Sequence, residues 1–193
     1  MDSPSPRESN LRRPHPLAVA LIQRLQPQPH ARVLEIGCGS GRNTDALHAA
    51  GFSVHTVSDE TAAAFTAQAQ GFDAAISTHA LLHGTPASIA RTVQEIARSL
   101  SGGAAFYATF ASKADARYGT GTRVAEDAYA PDEGAEQGVA HAYFQEAALR
   151  ELVSRYFVIE AIEEHRVDDV VGRWAHEERP SGSVHWYVRA VRQ

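Results

Sequence analysis

Leu17, Leu21 and Leu25 recur at four-residue intervals with Ile22 beside them, the apolar stripe of a helix that Pro27 and Pro29 end. Ala31 to Ile36 is a short apolar run that breaks on Gly37-Cys38-Gly39-Ser40-Gly41, the pattern of a buried strand entering a tight loop. Residues 42–50 are permissive for a helix with Gly51 as its cap, and Phe52 to Val57 reads as a second strand. An alanine-rich stretch, 60–70, predicts a helix with Ala62, Phe65 and Ala69 on one side, ended by Gly71. A third strand candidate, Phe72 to Ser77, follows. The clearest helix comes next: Thr85 can cap it, Pro86 takes its first position, and Ile89, Val93, Ile96, Ala97 and Leu100 form its stripe. Gly102 and Gly103 close it, and Ala104 to Phe110 is a strand. Residues 111–142 show neither period and carry Gly119, Gly121, Pro131, Gly134 and Gly138, which predicts an irregular, functional or mobile insertion. Leu149, Leu152, Val153 and Tyr156 mark a further helix; Phe157 to Ile162 and Val184 to Val191 mark strands. In the last of these, Val184, Trp186 and Val188 alternate with His185, Tyr187 and Arg189, as expected where one face is buried.

Strand alternating with helix calls for an α/β fold: a doubly wound, mostly parallel sheet of about six strands with an antiparallel C-terminal strand. Residues 1–15, polar and proline-rich, are expected to form a flexible tail on a single domain over 16–193 that carries the insertion 111–142.

Composition narrows the class. Of 193 residues, 44% are hydrophobic and 21% charged, which excludes disorder of the whole chain. A net charge of -5 disfavours binding to nucleic acid, which needs clustered cations. A single cysteine, Cys38, excludes an internal disulfide framework and suits a reducing, cytoplasmic setting. No run approaches the ~18 apolar residues of a membrane helix, so no membrane partner is expected.

The chemistry concentrates at the first strand's end. Glycines let backbone amides approach a ligand, and the following helix points its positive end at any anion placed there. A dinucleotide fingerprint, G-x-G-x-x-G, would need glycine where Arg42 stands, and a P-loop would need a lysine that is missing. The glycines can also serve only a tight turn, and Cys38 only as a small packing residue. His79 and His83, four apart, could share a helical face as metal pairs do. Ala80, however, stands where a metalloprotease needs glutamate, and no third ligand is apparent, so no metal is expected.

The run VLEIGCGSGRNT, residues 33–44, resembles the first motif of the class I S-adenosylmethionine-dependent methyltransferases. The likeness continues through FDAAISTHALLH, 72–83, and LSGGA, 100–104, and more loosely to the closing VHWYVRAVR. It implies a Rossmann-like fold and S-adenosyl-L-methionine as cofactor. Glu35, Gly37, Cys38, Gly39, Ser40, Gly41 and Asn43 would surround its methionine end. Ser58 and Asp59 fall where the family keeps an acidic ribose ligand, though Asp59 can equally cap a helix. Ser77, Thr78 and His79 would line the sulfonium side. Only residues 60–71 separate Asp59 from the next strand, so the family's third edge strand is expected to be absent, and with it the usual contact to adenine.

Methyl transfer needs alignment and exclusion of water, and a base where the acceptor carries a proton. His79 and His141 are the candidate catalytic groups, and His83, Arg117, Tyr118, Tyr143 and Phe144 the candidate acceptor contacts; each can instead be packing. Ser77-Thr78-His79-Ala80 replaces the Asn/Asp-Pro-Pro-Tyr motif of the adenine-methylating branch, which favours a small-molecule acceptor. The shortened segment keeps open a non-catalytic binding or regulatory module. A nicotinamide oxidoreductase is opposed by Arg42.

Overall fold

A computed structural model describes residues 13–58, 65–67, 69–167 and 182–193. Helix α1 (Pro16–Leu25) precedes β1 (Arg32–Ile36), α2 (Arg42–Ala49), β2 (Ser53–Val57) and β3 (Phe72–Ser77). Then come α3 (Pro86–Ser99), β4 (Leu100–Ser112), β5 (Thr122–Ala125), β6 (Ala128–Ala130) and β7 (His141–Phe144). The chain closes with α4 (Glu146–Ser154), β8 (Phe157–Arg166) and β9 (Val184–Arg192).

Strands β2, β1, β3 and β4 pair in parallel in that order. β9 runs antiparallel beside β4, with β8 antiparallel beside β9. This is the expected α/β sheet of six strands with an antiparallel C-terminal strand. β2 is its edge, and no strand lies outside it among the described residues.

Period-two alternation divides the sheet's side chains between two core layers. Leu34, Ala75, Phe106 and Val188 face the layer under α3 and α4, where Phe106 stacks on Phe157 with centroids 4.6 Å apart. Val33, Ala74, Ile76, Tyr107 and Tyr187 face the layer under α1 and α2. Both faces are buried, which is why β1, β3 and β4 are rich in apolar residues; β9, whose alternation predicts one buried face, buries both from Val184 to Val188, His185 among them. Helix α3 starts as its sequence demands: Thr85 Oγ1 accepts from the Ser88 amide at 3.2 Å, the Ser88 hydroxyl accepts from the Thr85 amide at 2.8 Å, and Pro86 opens the first turn.

Three expectations change. The helix over 60–70 does not extend through residues 65–67 and 69–70, which are non-helical; 60–64, 68 and Asp59 lie outside the described residues. Tertiary partners take the backbone groups a helix would use. Glu95 of α3 accepts from the Ala67 amide at 3.1 Å, and Arg32 donates to the carbonyls of Gln70 and Gly71 at 3.0 and 3.1 Å. Phe65 still packs on the α3 layer, opposite α2. Second, His15, assigned to the tail, is 2% exposed and caps α1, accepting from the Leu17 amide at 3.1 Å; residues 1–12 lie outside the described part.

Third, the stretch 111–142 is not wholly irregular. β4 continues to Ser112, and β5, β6 and β7 form an antiparallel meander. β3 stops at Ser77, opposite Ala108. Beyond it β7 takes the vacated edge of β4, pairing Ala111 with Tyr143 and Ser112 with Phe144. Strands of three or four residues are too short to show a period, so this meander was not visible as a pattern.

Candidate active site

Strand register assembles the site. Ile36 lies beside Val57 on one flank and Ser77 on the other, so Gly37, Ser58 and Thr78 leave the sheet side by side at the strands' carboxyl ends. The amides of Gly37 and Cys38 both donate to the Val57 carbonyl, at 2.8 and 3.3 Å, which pins the loop against β2. Gly37, Gly39 and Gly41 have φ of 76°, 49° and 80°, a region in which side-chain-bearing residues are strained. A Cβ on Gly41 would meet nothing within 4 Å, so the space above the loop is open. Gly41 also begins α2, whose N-terminus has no side-chain cap among the described residues, an arrangement that suits an anion.

Other candidates are partly committed to the fold. Glu35, 1% exposed, accepts from the Thr44 hydroxyl and so ties β1 to α2. Asn43 is a buried bridge: its Oδ1 accepts from the His15 amide at 2.8 Å, and its Nδ2 donates to Thr78 Oγ1 at 2.9 Å. Cys38 is half-buried, while Gly39, Ser40 and Ser58 are exposed. Ser77 Oγ is fully buried and makes no hydrogen bond among the described residues, at the point where a ligand beyond β3 would begin. An open glycine cradle, uncapped helix amides and an unsatisfied hydroxyl suit a polar ligand with an anionic end.

Past β3 the chain is not helical, so His79 and His83 do not share a helical face. His79 has φ 62°, and its amide donates to Thr109 Oγ1 of β4 at 2.8 Å. Its ring lies 5.3 Å from that of His15 and 5.1 Å from that of His185. His15 Nε2 stands 3.1 Å from the Tyr187 hydroxyl. Because His15 Nδ1 accepts a backbone N–H, Nε2 carries the proton and donates. Burial, then the charge of Arg42, lowers the His15 pKa to about 3. Burial lowers that of His185 to about 4, against partial support from Asp115. Both are neutral imidazoles at neutral pH. Arg42 is itself buried; burial lowers its pKa, and Tyr187 and Glu35 oppose that.

A second group forms where β7 replaces β3. His83 and His141 make an isolated antiparallel bridge, and the Ala142 amide donates to the Leu82 carbonyl at 2.8 Å. Glu136 reaches both imidazoles: Oε1 lies 3.4 Å from His83 Nε2, and Oε2 lies 3.1 Å from His141 Nε2. These imidazoles, His141 before His83, hold the Glu136 carboxyl well below its ordinary range. Arg117 approaches Glu136 at 3.5 Å and pairs with buried Asp115 at 3.2 Å. Although burial opposes its charge, these carboxylates raise the Arg117 pKa. Tyr118 donates to Asp127 at 2.8 Å and packs edge-on against Tyr129 and Tyr143. Burial raises the pKa of Tyr143 to about 12. Phe144 is a core residue, edge-on to Phe110, with its carbonyl accepting from the Trp186 indole at 2.9 Å.

The chain's residues 10–156 match the model of a family described as methyltransferase domain. The chain belongs to the methyltransferase-domain family. S-adenosylmethionine is its cofactor, in keeping with the open glycine cradle beside α2. A search of curated proteins finds no match. Among solved structures, an S-adenosylmethionine-dependent methyltransferase from Methanosarcina mazei is 18% identical, with a TM-score of 0.65 over 89% of this chain and 96% of that one. The 1,6-didemethyltoxoflavin-N1-methyltransferase of Burkholderia thailandensis, with bound 1,6-didemethyltoxoflavin and S-adenosylhomocysteine, is 19% identical. Its TM-score is 0.66 over 96% of this chain and 79% of that one. The magnesium protoporphyrin IX methyltransferase of Synechocystis PCC 6803, with bound S-adenosylmethionine, is 15% identical, with a TM-score of 0.59 over 100% and 87%. These likenesses describe the fold.

His15, Arg42, Asp115, Glu136 and His185 were not singled out by sequence reasoning as site residues. Arg42 directly follows the glycine loop; the other four carry no local signal, since each reaches the site through packing with other segments.

Proposed function

We propose that this methyltransferase-family protein moves a methyl group to a small-molecule acceptor held between the loop at 78–83 and the β5–β7 meander. The supporting observation is the row of Gly37, Ser58 and Thr78 at the carboxyl edge, with open space over Gly41. When bound, the cofactor supplies a sulfonium-borne methyl for in-line displacement. In this reading the α2 amides and the glycine loop hold its anionic end, and the Ser58 hydroxyl and Ser77 Oγ offer further hydrogen bonds. His79, partly exposed and anchored through its amide to Thr109, takes the acceptor's proton, while His141 positions Glu136 in the acceptor wall. Two structural neighbours are named for small-molecule substrates, which supports the acceptor class.

The commitment of Glu35 and Asn43 to internal bonds favours a second reading, a binding module without turnover. Equilibrium titration with S-adenosylmethionine and S-adenosylhomocysteine separates the outcomes. Saturation together with methyl transfer to a member of a metabolite panel supports the enzyme, and saturation without transfer supports the module. An absence of binding at millimolar ligand removes the enzyme reading and leaves a module with impaired cofactor binding.

No helix among the described residues is long and apolar enough to cross a membrane.

A further inference from the structure

The group at the β3–β7 hand-over contains one imidazole whose tautomer is set. His141 Nδ1 lies 2.8 Å from the Val139 carbonyl, which can only accept, so Nδ1 carries the proton. Its Nε2 faces the Glu136 carboxylate at 3.1 Å. A backbone carbonyl holding Nδ1–H fixes the ring and leaves Nε2 as the donor atom, as in many metal-ligating histidines. His83 adds a second Nε2, 3.4 Å from the other carboxylate oxygen.

We propose that His83, Glu136 and His141 bind a divalent first-row transition-metal ion, with zinc the best match to two imidazoles and one carboxylate. Their donor atoms all lie within 4.8 Å of one another. Zinc bonds of about 2.0–2.2 Å in a tetrahedron place ligand atoms about 3.4 Å apart, close to the separations of 3.4 and 3.1 Å between imidazole and carboxylate. The donors come from two segments clamped together: His83 is joined to His141 by their β-bridge, and Glu136 lies in the turn just before His141, where the Val139 amide donates to its carbonyl at 3.0 Å. Arg117, 3.5 Å from Glu136, is matched by buried Asp115 and does not leave an uncompensated cation beside the ion. The site is half-buried: His141 is 1% exposed in its side chain, His83 22% and Glu136 25%. Three protein ligands leave a coordination position open, as in catalytic rather than structural zinc sites. That position takes an oxygen donor.

The site stands independently of methyl transfer, since metal titration and cofactor titration can fail separately. The test uses untagged full-length protein stripped with chelator, titrated calorimetrically with zinc chloride and, in parallel, with cobalt(II) followed by its visible spectrum. One equivalent of zinc per chain is expected, with tetrahedral-type cobalt bands. His83→Ala and Glu136→Gln, each checked for folding by circular dichroism, should weaken binding about 100-fold, as loss of a ligand or of its orientation does. His83 is partly exposed, so His83→Gln serves as a second variant should alanine fail to fold. Acetohydroxamate, an oxygen chelator, should shift the cobalt bands. Absence of stoichiometric binding, or binding undiminished in the folded variants, overturns the metal site; a cobalt spectrum unmoved by acetohydroxamate overturns the open position.

Discussion

Gly41 shows how much one residue decides. Its φ of 80° is strained for any side chain, and the space a Cβ would enter is free of protein atoms. Gly41→Ala should therefore cost about 1–2 kcal/mol of stability through conformation alone, measured by urea unfolding. The added methyl also occupies the cradle, so S-adenosylhomocysteine affinity should fall about tenfold, a loss of about 1.4 kcal/mol. An unchanged affinity would place the ligand elsewhere. This glycine was legible in the sequence because the φ requirement is local: its position between an apolar run and a helix announces the turn. Glu136 was not. Its neighbours, Gly134, Ala135, Gln137 and Gly138, mark only a turn, and the β7 edge brings His83 to it.

At the scale of elements, Asn43 joins three of them. It connects the residue that caps α1, the first turn of α2 and the loop leaving β3. Asn43→Ala leaves the buried His15 amide and the Thr78 hydroxyl without these bonds, so unfolding free energy should fall by about 1–3 kcal/mol. Asn43→Asp keeps the acceptor for His15 and should lose less; equal losses in denaturant titrations of the two would argue against the bridge. Helices α1, α3 and α4 and the strands of the main sheet were readable from periodicity, because their burial is one-sided or complete over several residues. Residues 65–67 and 69–70 failed as a helix for a reason outside their own sequence: Glu95 and Arg32 satisfy backbone groups there. The β5–β6 hairpin and β7 escaped notice because strands of three or four residues hold too few positions to show a period.

For the whole molecule, the buried histidines set a dependence on acidity. The folded pKa of His15 is about 3 and that of His185 about 4, both below the unfolded value of 6.5. Unfolding between those values and 6.5 takes up protons. Their contribution to stability is thus complete above pH 6.5 and falls as pH drops toward 4 and 3, by about 1.4 kcal/mol per pH unit for each histidine. Denaturant midpoints between pH 7.5 and 4.5 should decline, and His185→Gln should flatten the decline. A slope that the substitution leaves unaltered would show that His185 is protonated in the folded chain. Two core layers enclose the same sheet, so the acid-labile histidines sit at its carboxyl edge, beside the proposed site, while the apolar layers under α1 and α3 carry no such dependence.

Local pattern was enough to determine the α/β class, the sheet's strand content and the glycine loop at its carboxyl edge, because apolar periodicity and the φ demands of a tight turn are properties of neighbouring residues. The tertiary structure alone decided which side chains share that edge. Asn43, His15 and Thr78 meet because α1, α2 and the loop after β3 pack together, and His83 reaches Glu136 and His141 because β3 ends four residues before β4 does and β7 fills the gap, a consequence of register among strands far apart in the chain.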